Sequence, residues 1–122
     1  SIGDYFFKGL GGIRPTEENP GFGQFILEPS LTEKLDWVEA GHASPYGMIR
    51  CHWKRKAGVV ELRVTVPPNT HAELRLPAAN RTKPVVEKGA SVTFERVVDG
   101  KGGAFYTANL PAGSYQLMQG AE

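Results

Sequence analysis

Most of the chain alternates between apolar and polar residues in short runs, which is typical of β-strands with one buried face. Turn-forming stretches such as VPPN (66–69) and LPAG (110–113) separate these runs. The pattern is mainly β and predicts an antiparallel two-sheet β-sandwich, in which each strand has one buried and one wet face. The candidate strands cover residues 22–29, 35–43, 48–55, 59–66, 71–76, 91–97, 104–109 and 114–119.

The first residues follow a different pattern. Apolar side chains recur there at helical spacing, at Ile2, Phe6, Leu10 and Ile13. We therefore predict a short terminal helix over residues 1–14, a polar linker over 15–21 and a β-sandwich over 22–122. The consecutive aromatic residues at 5–7 spread over more of the helix than one apolar stripe. Such a helix needs neighbours on most sides, which indicates that it belongs to a larger helical assembly upstream.

The segment SPYG (44–47) predicts the turn of a β-hairpin, because Pro45 suits its second position and Gly47 its fourth. If Gly47 forms a bulge directly after the turn, Ser44 lies opposite Met48. This register places the charged residues of both strands on the solvent face. It also defines a predicted core face for the hairpin, which carries Trp37, Gly41, Ala43, Ile49, Cys51 and Trp53.

The composition limits the classes of binding partner that we expect for this chain. The chain has 122 residues, of which 40% are hydrophobic and 22% are charged, as in ordinary globular proteins. Its formal net charge of +1 provides no overall field to attract nucleic acid or an anionic membrane. No apolar run in the sequence approaches the length of a membrane span. We therefore expect no nucleic acid and no membrane among its partners.

The cysteine and histidine residues are poorly placed for nucleophilic catalysis or metal binding. Cys51 is the single cysteine, and its neighbour His52 should point to the opposite face of the same strand, so the two cannot form a catalytic dyad. Cys51 is therefore expected to be a small buried residue. His42 and His52 lie beside Arg50 and Lys54, which disfavours a metal site there. We predict no catalytic residue, no cofactor-binding residue, no cofactor and no metal ligand in this chain.

The acidic residues do not suggest a glycosidase site either, because they occupy turns or outward strand positions. Sugar binding would instead depend on aromatic platforms, for which the candidates are Tyr46, Trp37 and Trp53. The hairpin register favours the core for both tryptophans and leaves Tyr46 exposed at the turn. A carbohydrate-binding module that uses these platforms is the alternative to a purely structural domain.

Four segments together resemble a known family. They are SIGDYFFKGLGGIRP, PGFGQFILEPSLTEKLDWVEAGHASPYGMIRCHWKRK, LRVTVPPNTHAELRLP and LPAGSYQL, and they resemble the C-terminal end of bacterial α-L-rhamnosidases. They follow the same order and cover nearly the whole chain, apart from residues 82–103, which resemble nothing in particular.

The resemblance implies that catalysis and the β-sandwich belong to different domains of the parent enzyme. Members of the family hydrolyse terminal α-L-rhamnosyl bonds with inversion, using two carboxyl groups in an (α/α)₆ barrel. SIGDYFFKGL is similar to the last helix of that barrel, and FGQFILEP to the start of the C-terminal β-sandwich. No catalytic position of the family falls on this chain. The resemblance thus implies a non-catalytic accessory domain, whose partners are the catalytic barrel and, in the alternative, a rhamnosylated carbohydrate. The aromatic helix would also permit a homodimer of the chain alone.

Overall fold

The computed structural model describes residues 12–16 and 21–121, which form one sheet of eight strands. The strands are β1 (Ile13–Pro15), β2 (Gln24–Leu27), β3 (Trp37–Ser44), β4 (Gly47–Lys56), β5 (Val59–Pro77), β6 (Val85–Lys88), β7 (Glu95–Val98) and β8 (Ala104–Gln119). The described residues contain no α-helix.

Strands β5 and β8 are the long central strands of the sheet. They pair with each other antiparallel along nearly their whole length, and the shorter strands add to their outer edges. Strand β4 pairs with the first half of β5, and β6 pairs with the second half of β8. Strand β3 pairs with the other edge of β4. We call this group the first half-sheet. The second half-sheet contains β1, β2 and β7 with the other halves of β5 and β8.

The two half-sheets meet where the pairing of β5 with β8 shifts its register, between Val66 and His71. Pro67 and Pro68 lie in this interval and cannot donate ladder hydrogen bonds. The buried Thr70 hydroxyl donates to the Pro67 carbonyl at 2.7 Å, which stabilises the irregular backbone. The two half-sheets bury their inner faces in a single hydrophobic cluster, so the sheet is nearly barrel-like.

The core follows the alternation along the central strands. One transverse row runs from Val38 through Trp53 and Leu62 to Leu117, and each of these side chains is buried. In the second half-sheet Leu74 and its neighbours of the same face are likewise fully buried. Opposite faces of the same strands carry the charged residues, as the sequence pattern predicts.

The prediction of a wholly antiparallel pair of separate sheets is not confirmed. Residues 59–66 and 71–76, predicted as two strands, belong to the one strand β5, and residues 104–109 and 114–119 belong to β8. Continuous strands join what would otherwise be two sheets. In addition, β2 pairs parallel to β5. The short strands β1 and β6 have no counterpart in the predicted set, because three or four residues carry too little alternation to be recognised.

The predicted terminal helix of residues 1–14 lies mostly outside the described residues. At its end the prediction is wrong, because Ile13 and Arg14 form β1 and pair with β2. The predicted linker of residues 15–21 is also too long at its start, since Pro15 pairs with Phe25. The Ile13 side chain is fully buried, so the β-domain already includes this residue.

The hairpin of β3 and β4 has a register one residue away from the predicted one. Ser44 pairs directly with Gly47, without the predicted bulge, so the connection has only two residues, Pro45 and Tyr46. The Ser44 hydroxyl accepts from the Tyr46 N–H at 3.1 Å and donates to the Gly47 carbonyl at 2.7 Å. A shift of one residue reverses which face of a strand is buried.

As a consequence the core face of β3 was predicted wrongly. Val38 and Ala40 are buried, whereas Trp37, Gly41 and Ala43 are exposed. The predicted core face of β4 is confirmed, because Ile49, Cys51 and Trp53 are all buried.

Candidate functional site

The outer face of the first half-sheet carries a shallow pocket beside Trp37, the first residue of the edge strand β3. The Trp37 side chain is 64% exposed. The pocket has a volume of about 420 Å³. It is lined by Asp36, Trp37, Val38, Glu39, His52, Trp53, Lys54, Arg55, Glu61 and Arg63. We call it the Trp37 pocket.

Strand register explains why these residues lie together. Trp37 pairs with Lys54, which in turn pairs with Glu61 on β5. The next outward row joins Glu39, His52 and Arg63 in the same way. Three adjacent strands therefore present one aromatic side chain and five polar side chains on a single surface.

Charges of both signs surround the aromatic ring. The Lys54 Nζ lies 3.3 Å from the Glu61 Oε2, which forms a surface ion pair. Asp36, Glu39 and Glu61 supply carboxylates, while Lys54 and Arg63 supply cations that donate hydrogen bonds. The pocket can thus both donate and accept hydrogen bonds next to an apolar platform.

The segment that leads into Trp37 is held in place by Arg55. Its guanidinium donates to the carbonyl groups of Leu31, Thr32 and Leu35, at 2.7, 3.0 and 2.8 Å. It also lies 5.4 Å from the ring centroid of Trp53. The Arg55 backbone N–H donates to the Asp36 carbonyl at 2.6 Å. Arg55 thereby fixes the backbone immediately before the exposed tryptophan.

The three aromatic candidates from the sequence have different positions. Trp37 was expected in the core and is instead the exposed residue of the pocket, because the hairpin register differs by one residue. Trp53 is 2% exposed, as expected, so its ring cannot serve as an open platform. Tyr46 is 44% exposed at the hairpin tip, as predicted, and does not line the Trp37 pocket. The charged partners of Trp37 could not be assigned from the sequence without the correct register.

Cys51 has the position predicted for it. Its side chain is fully buried, and burial raises the pKa of the Cys51 thiol to about 12. His52 lies on the opposite face and lines the Trp37 pocket. The two side chains are therefore separated by the strand itself, which confirms that they do not form a dyad.

We expect the Cys51 thiol to resist alkylation by iodoacetamide at about pH 8 in the folded chain and to react on unfolding, because the buried thiol remains protonated. The thiol ionises near its ordinary pKa of 9.0 when unfolded and near 12 when folded. Its contribution to stability is therefore constant below pH 9 and is lost as the pH rises from 9 to 12. Urea titrations of the chain and of Cys51→Ala at several alkaline pH values measure this difference. Equal alkaline slopes for the two proteins would contradict it.

Within residues 12–16 and 21–121, no group of three or more histidine, cysteine, aspartate or glutamate residues is arranged to hold a metal ion. His42 instead contacts the ring of Phe22, with 4.4 Å between the ring centroids. The same part of the chain contains no helix that is long and apolar enough to cross a membrane.

Several carboxylates of the described chain are paired with cations. Glu28 accepts from Arg14 at 2.8 Å, Glu61 pairs with Lys54, and Glu73 pairs with Arg75. In each of these contacts a carboxylate lies beside a cation. The fold and the pocket define a small β-domain with an open, shallow surface site.

Comparison with known proteins assigns the family. The sequence model described as the bacterial alpha-L-rhamnosidase C-terminal domain matches residues 12–91, which is more than half of the chain. The chain belongs to this family of C-terminal domains. The match begins at the residue before β1, in agreement with the inclusion of β1 in the β-domain.

Individual relatives agree with this assignment. An α-L-rhamnosidase of Streptomyces avermitilis is 30% identical over 100 residues, which cover 82% of this chain and 9% of that protein. One from an Alteromonas species is 36% identical over 78 residues, covering 64% of this chain and 8% of the relative. The chain thus spans less than a tenth of the length of these curated relatives.

A solved structure shows the same fold. The crystal structure of the Streptomyces avermitilis α-L-rhamnosidase complexed with L-rhamnose superimposes with a TM-score of 0.70 at 26% identity. The alignment covers 96% of this chain and 10% of that one.

Proposed function

We propose that this chain is a non-catalytic accessory domain of an α-L-rhamnosidase and that it packs against the catalytic domain. The observation that carries the proposal is the match of residues 12–91 to a C-terminal domain that forms a small part of larger rhamnosidases. In this proposal the parent enzyme hydrolyses terminal α-L-rhamnosyl bonds with inversion, and its catalytic carboxyl groups belong to an (α/α)₆ barrel upstream.

The chemistry of inversion supports this division. An inverting glycosidase holds an acid and a base roughly 6.5–9.5 Å apart across the sugar, with room for a water molecule. The carboxylates of Glu28, Glu61 and Glu73 instead form ion pairs with cations on the outer faces of the sheet.

The way in which the chain enters the domain also supports close packing. The Gly12 carbonyl accepts a hydrogen bond from the Glu28 N–H at 2.8 Å, and Ile13 is fully buried directly after it. Gly12 has a φ of +64°, and a Cβ there would lie 1.9 Å from the Glu28 carbonyl oxygen. The entry is therefore a fixed backbone contact in which glycine is required. A fixed entry favours a rigid orientation relative to whatever precedes it.

The test is to express the 122-residue chain alone and together with the region that precedes it in its gene product. We expect no hydrolysis of an aryl α-L-rhamnoside by the chain alone, and co-purification with a higher melting temperature of the catalytic region when both are present. Turnover by the chain alone would overturn the non-catalytic assignment. Failure of the two parts to associate would overturn the packing role. Light scattering of the chain alone tests the homodimer that the aromatic N-terminal sequence predicts.

Carbohydrate binding is the second candidate function, and one observation favours it. Trp37 was expected in the core but lies exposed in a pocket lined by polar side chains. An aromatic ring beside hydrogen-bond donors and acceptors provides the apolar face and polar rim that a sugar ring requires.

A further inference from the structure

We propose that the Trp37 pocket binds a neutral pyranose sugar, with the ring stacked on the indole and its hydroxyl groups bound by residues of β3, β4 and β5. This site goes beyond the packing role, and it rests on the second candidate function, which it locates. Three properties of the pocket favour such a ligand: the exposure of Trp37, the signs of the charges around it and the dimensions of the pocket.

The platform itself is accessible. Trp37 is the first residue of β3, an edge strand that pairs only with β4 within the described sheet. Its indole is 64% exposed, and the other apolar lining residues, Val38 and Trp53, are buried. An aromatic face next to hydrogen-bonding groups suits a molecule that has one apolar face and a polar rim.

The charges favour a neutral ligand over an ion. The lining contains three carboxylates, from Asp36, Glu39 and Glu61, and two cations that face outward, from Lys54 and Arg63. The guanidinium of Arg55 is already bound to three backbone carbonyl groups. Carboxylates accept hydrogen bonds and the cations donate them. A sugar hydroxyl does both, whereas a charged ligand of either sign would face repulsive as well as attractive charges.

The surroundings of Trp37 also disfavour a protein partner. The centre of a protein interface is depleted in charged residues and contains clustered apolar side chains. Around Trp37 the neighbours are Lys54, Glu39 and Asp36. The other large exposed hydrophobic residues of the described chain lie outside the pocket; they are Tyr46, Met48, Val85 and Val98.

The dimensions suit a small sugar. Trp37, Lys54 and Glu61 form a row across three strands, so the distance from the platform to the far carboxylate is roughly 10 Å at the usual strand spacing. The pocket volume of about 420 Å³ lies in the range of small-molecule sites. One or two pyranose rings would reach from the indole to Glu61 and Arg63.

The experiment is a titration of the full 122-residue chain with L-rhamnose, D-galactose and D-glucuronate, followed by two-dimensional NMR of the indole N–H groups. The expected result is a saturable shift of the Trp37 signal with a neutral sugar at millimolar concentration. The Trp53 indole is buried and serves as an internal reference. A stronger response to glucuronate than to both neutral sugars would overturn the proposed ligand class.

Variants identify the site. Trp37→Ala should weaken binding at least about tenfold, because the platform is lost. Tyr46→Ala removes an exposed aromatic outside the pocket and should leave the affinity unchanged. Glu61→Gln retains the shape of the side chain and should weaken binding less than Trp37→Ala does. If Trp37→Ala is poorly folded, Trp37→Tyr keeps a smaller platform and is expected to bind with intermediate affinity.

Two results would overturn the inference. One is the absence of a saturable shift with either neutral sugar in the folded chain. The other is binding that survives Trp37→Ala, since the sugar would then occupy another surface. Loss of association with a catalytic region in Trp37→Ala, without any sugar binding by the unsubstituted chain, would assign Trp37 to packing instead. Because sugar binding and association are measured separately, failure of this inference leaves the packing role intact.

Discussion

Replacing Arg55 with alanine is expected to lower the free energy of unfolding by about 3 kcal/mol, because one charged group donates to several carbonyls. Its guanidinium donates to the Leu31, Thr32 and Leu35 carbonyl groups. It also stacks over the Trp53 ring. Removal leaves these acceptors without their donor and removes the side chain that joins the segment before β3 to β4. Urea denaturation followed by circular dichroism measures the loss.

Matched variants distinguish the loss of hydrogen bonds to the carbonyl groups from a general loss of positive charge. Arg55→Lys keeps the charge but lacks the planar fork of donors, so it should recover less than half of the loss. Arg96→Ala removes an arginine that is exposed on β7 and should change the free energy of unfolding by less than about 0.5 kcal/mol. A change of this small size for Arg55→Ala would show that the contacts with the carbonyl groups do not stabilise the fold. Because Arg55 fixes the backbone before Trp37, Arg55→Ala should also weaken any sugar binding.

Leu62→Ala is expected to destabilise the chain by about 3 kcal/mol, within the usual range for a buried leucine. Leu62 is fully buried on β5, between Trp53 on β4 and Leu117 on β8. Truncation removes contacts with both neighbours and leaves a cavity in the transverse row. The continuous pairing of β5 with β8 limits how far the strands can move to fill it.

The neighbouring position provides the control for this prediction. Glu61 lies on the opposite face of β5, where it forms the surface ion pair with Lys54. Glu61→Ala should cost less than about 1 kcal/mol, because exposed ion pairs contribute little. Comparable losses at the two positions would contradict the assignment of the two faces. Thermal unfolding monitored by calorimetry gives both values under the same conditions.

The proposed packing role and the proposed sugar site use different strands. The chain enters the domain through β1, which pairs with β2, whereas Trp37 begins β3, which pairs with β4. In the order β1-β2-β5-β4-β3 these two strands are the opposite ends. The two ends still approach each other in space, because the Phe22 ring just before β2 contacts the His42 ring on β3.

Much of the fold could be predicted because it depends on local pattern. The alternation over residues 59–66 is strict, with Val60, Leu62 and Val64 buried and Arg63 exposed, and this first part of β5 is found where a strand was predicted. The buried face of β4 was also predicted correctly, including Cys51. The joining of two predicted strands into β5 could not be predicted, since VPPN is an ordinary turn signal. Pairing with β8 keeps the backbone extended on both sides of it, and β4 and β2 pair with the other edge of β5 before and after it.

The candidate site was harder to predict than the fold. Tyr46 was expected to be exposed because it occupies a turn, and it is. Trp37 was assigned to the wrong face because a bulge at Gly47 and a direct pairing of Ser44 with Gly47 are both compatible with SPYG. A difference of one residue at the turn reverses every side chain of β3.

The sequence by itself therefore determined where most of the long strand segments lie, which faces of β4 and β5 are apolar, and to which family the chain is similar. These properties follow from alternation and turn chemistry within a few residues. Only the tertiary structure decided the register of β3, the addition of β1 to the sheet and the meeting of Trp37 with residues of three strands. The physical reason is that a strand's partner and register depend on burial of the whole core, and several local solutions cost nearly the same free energy until that core forms.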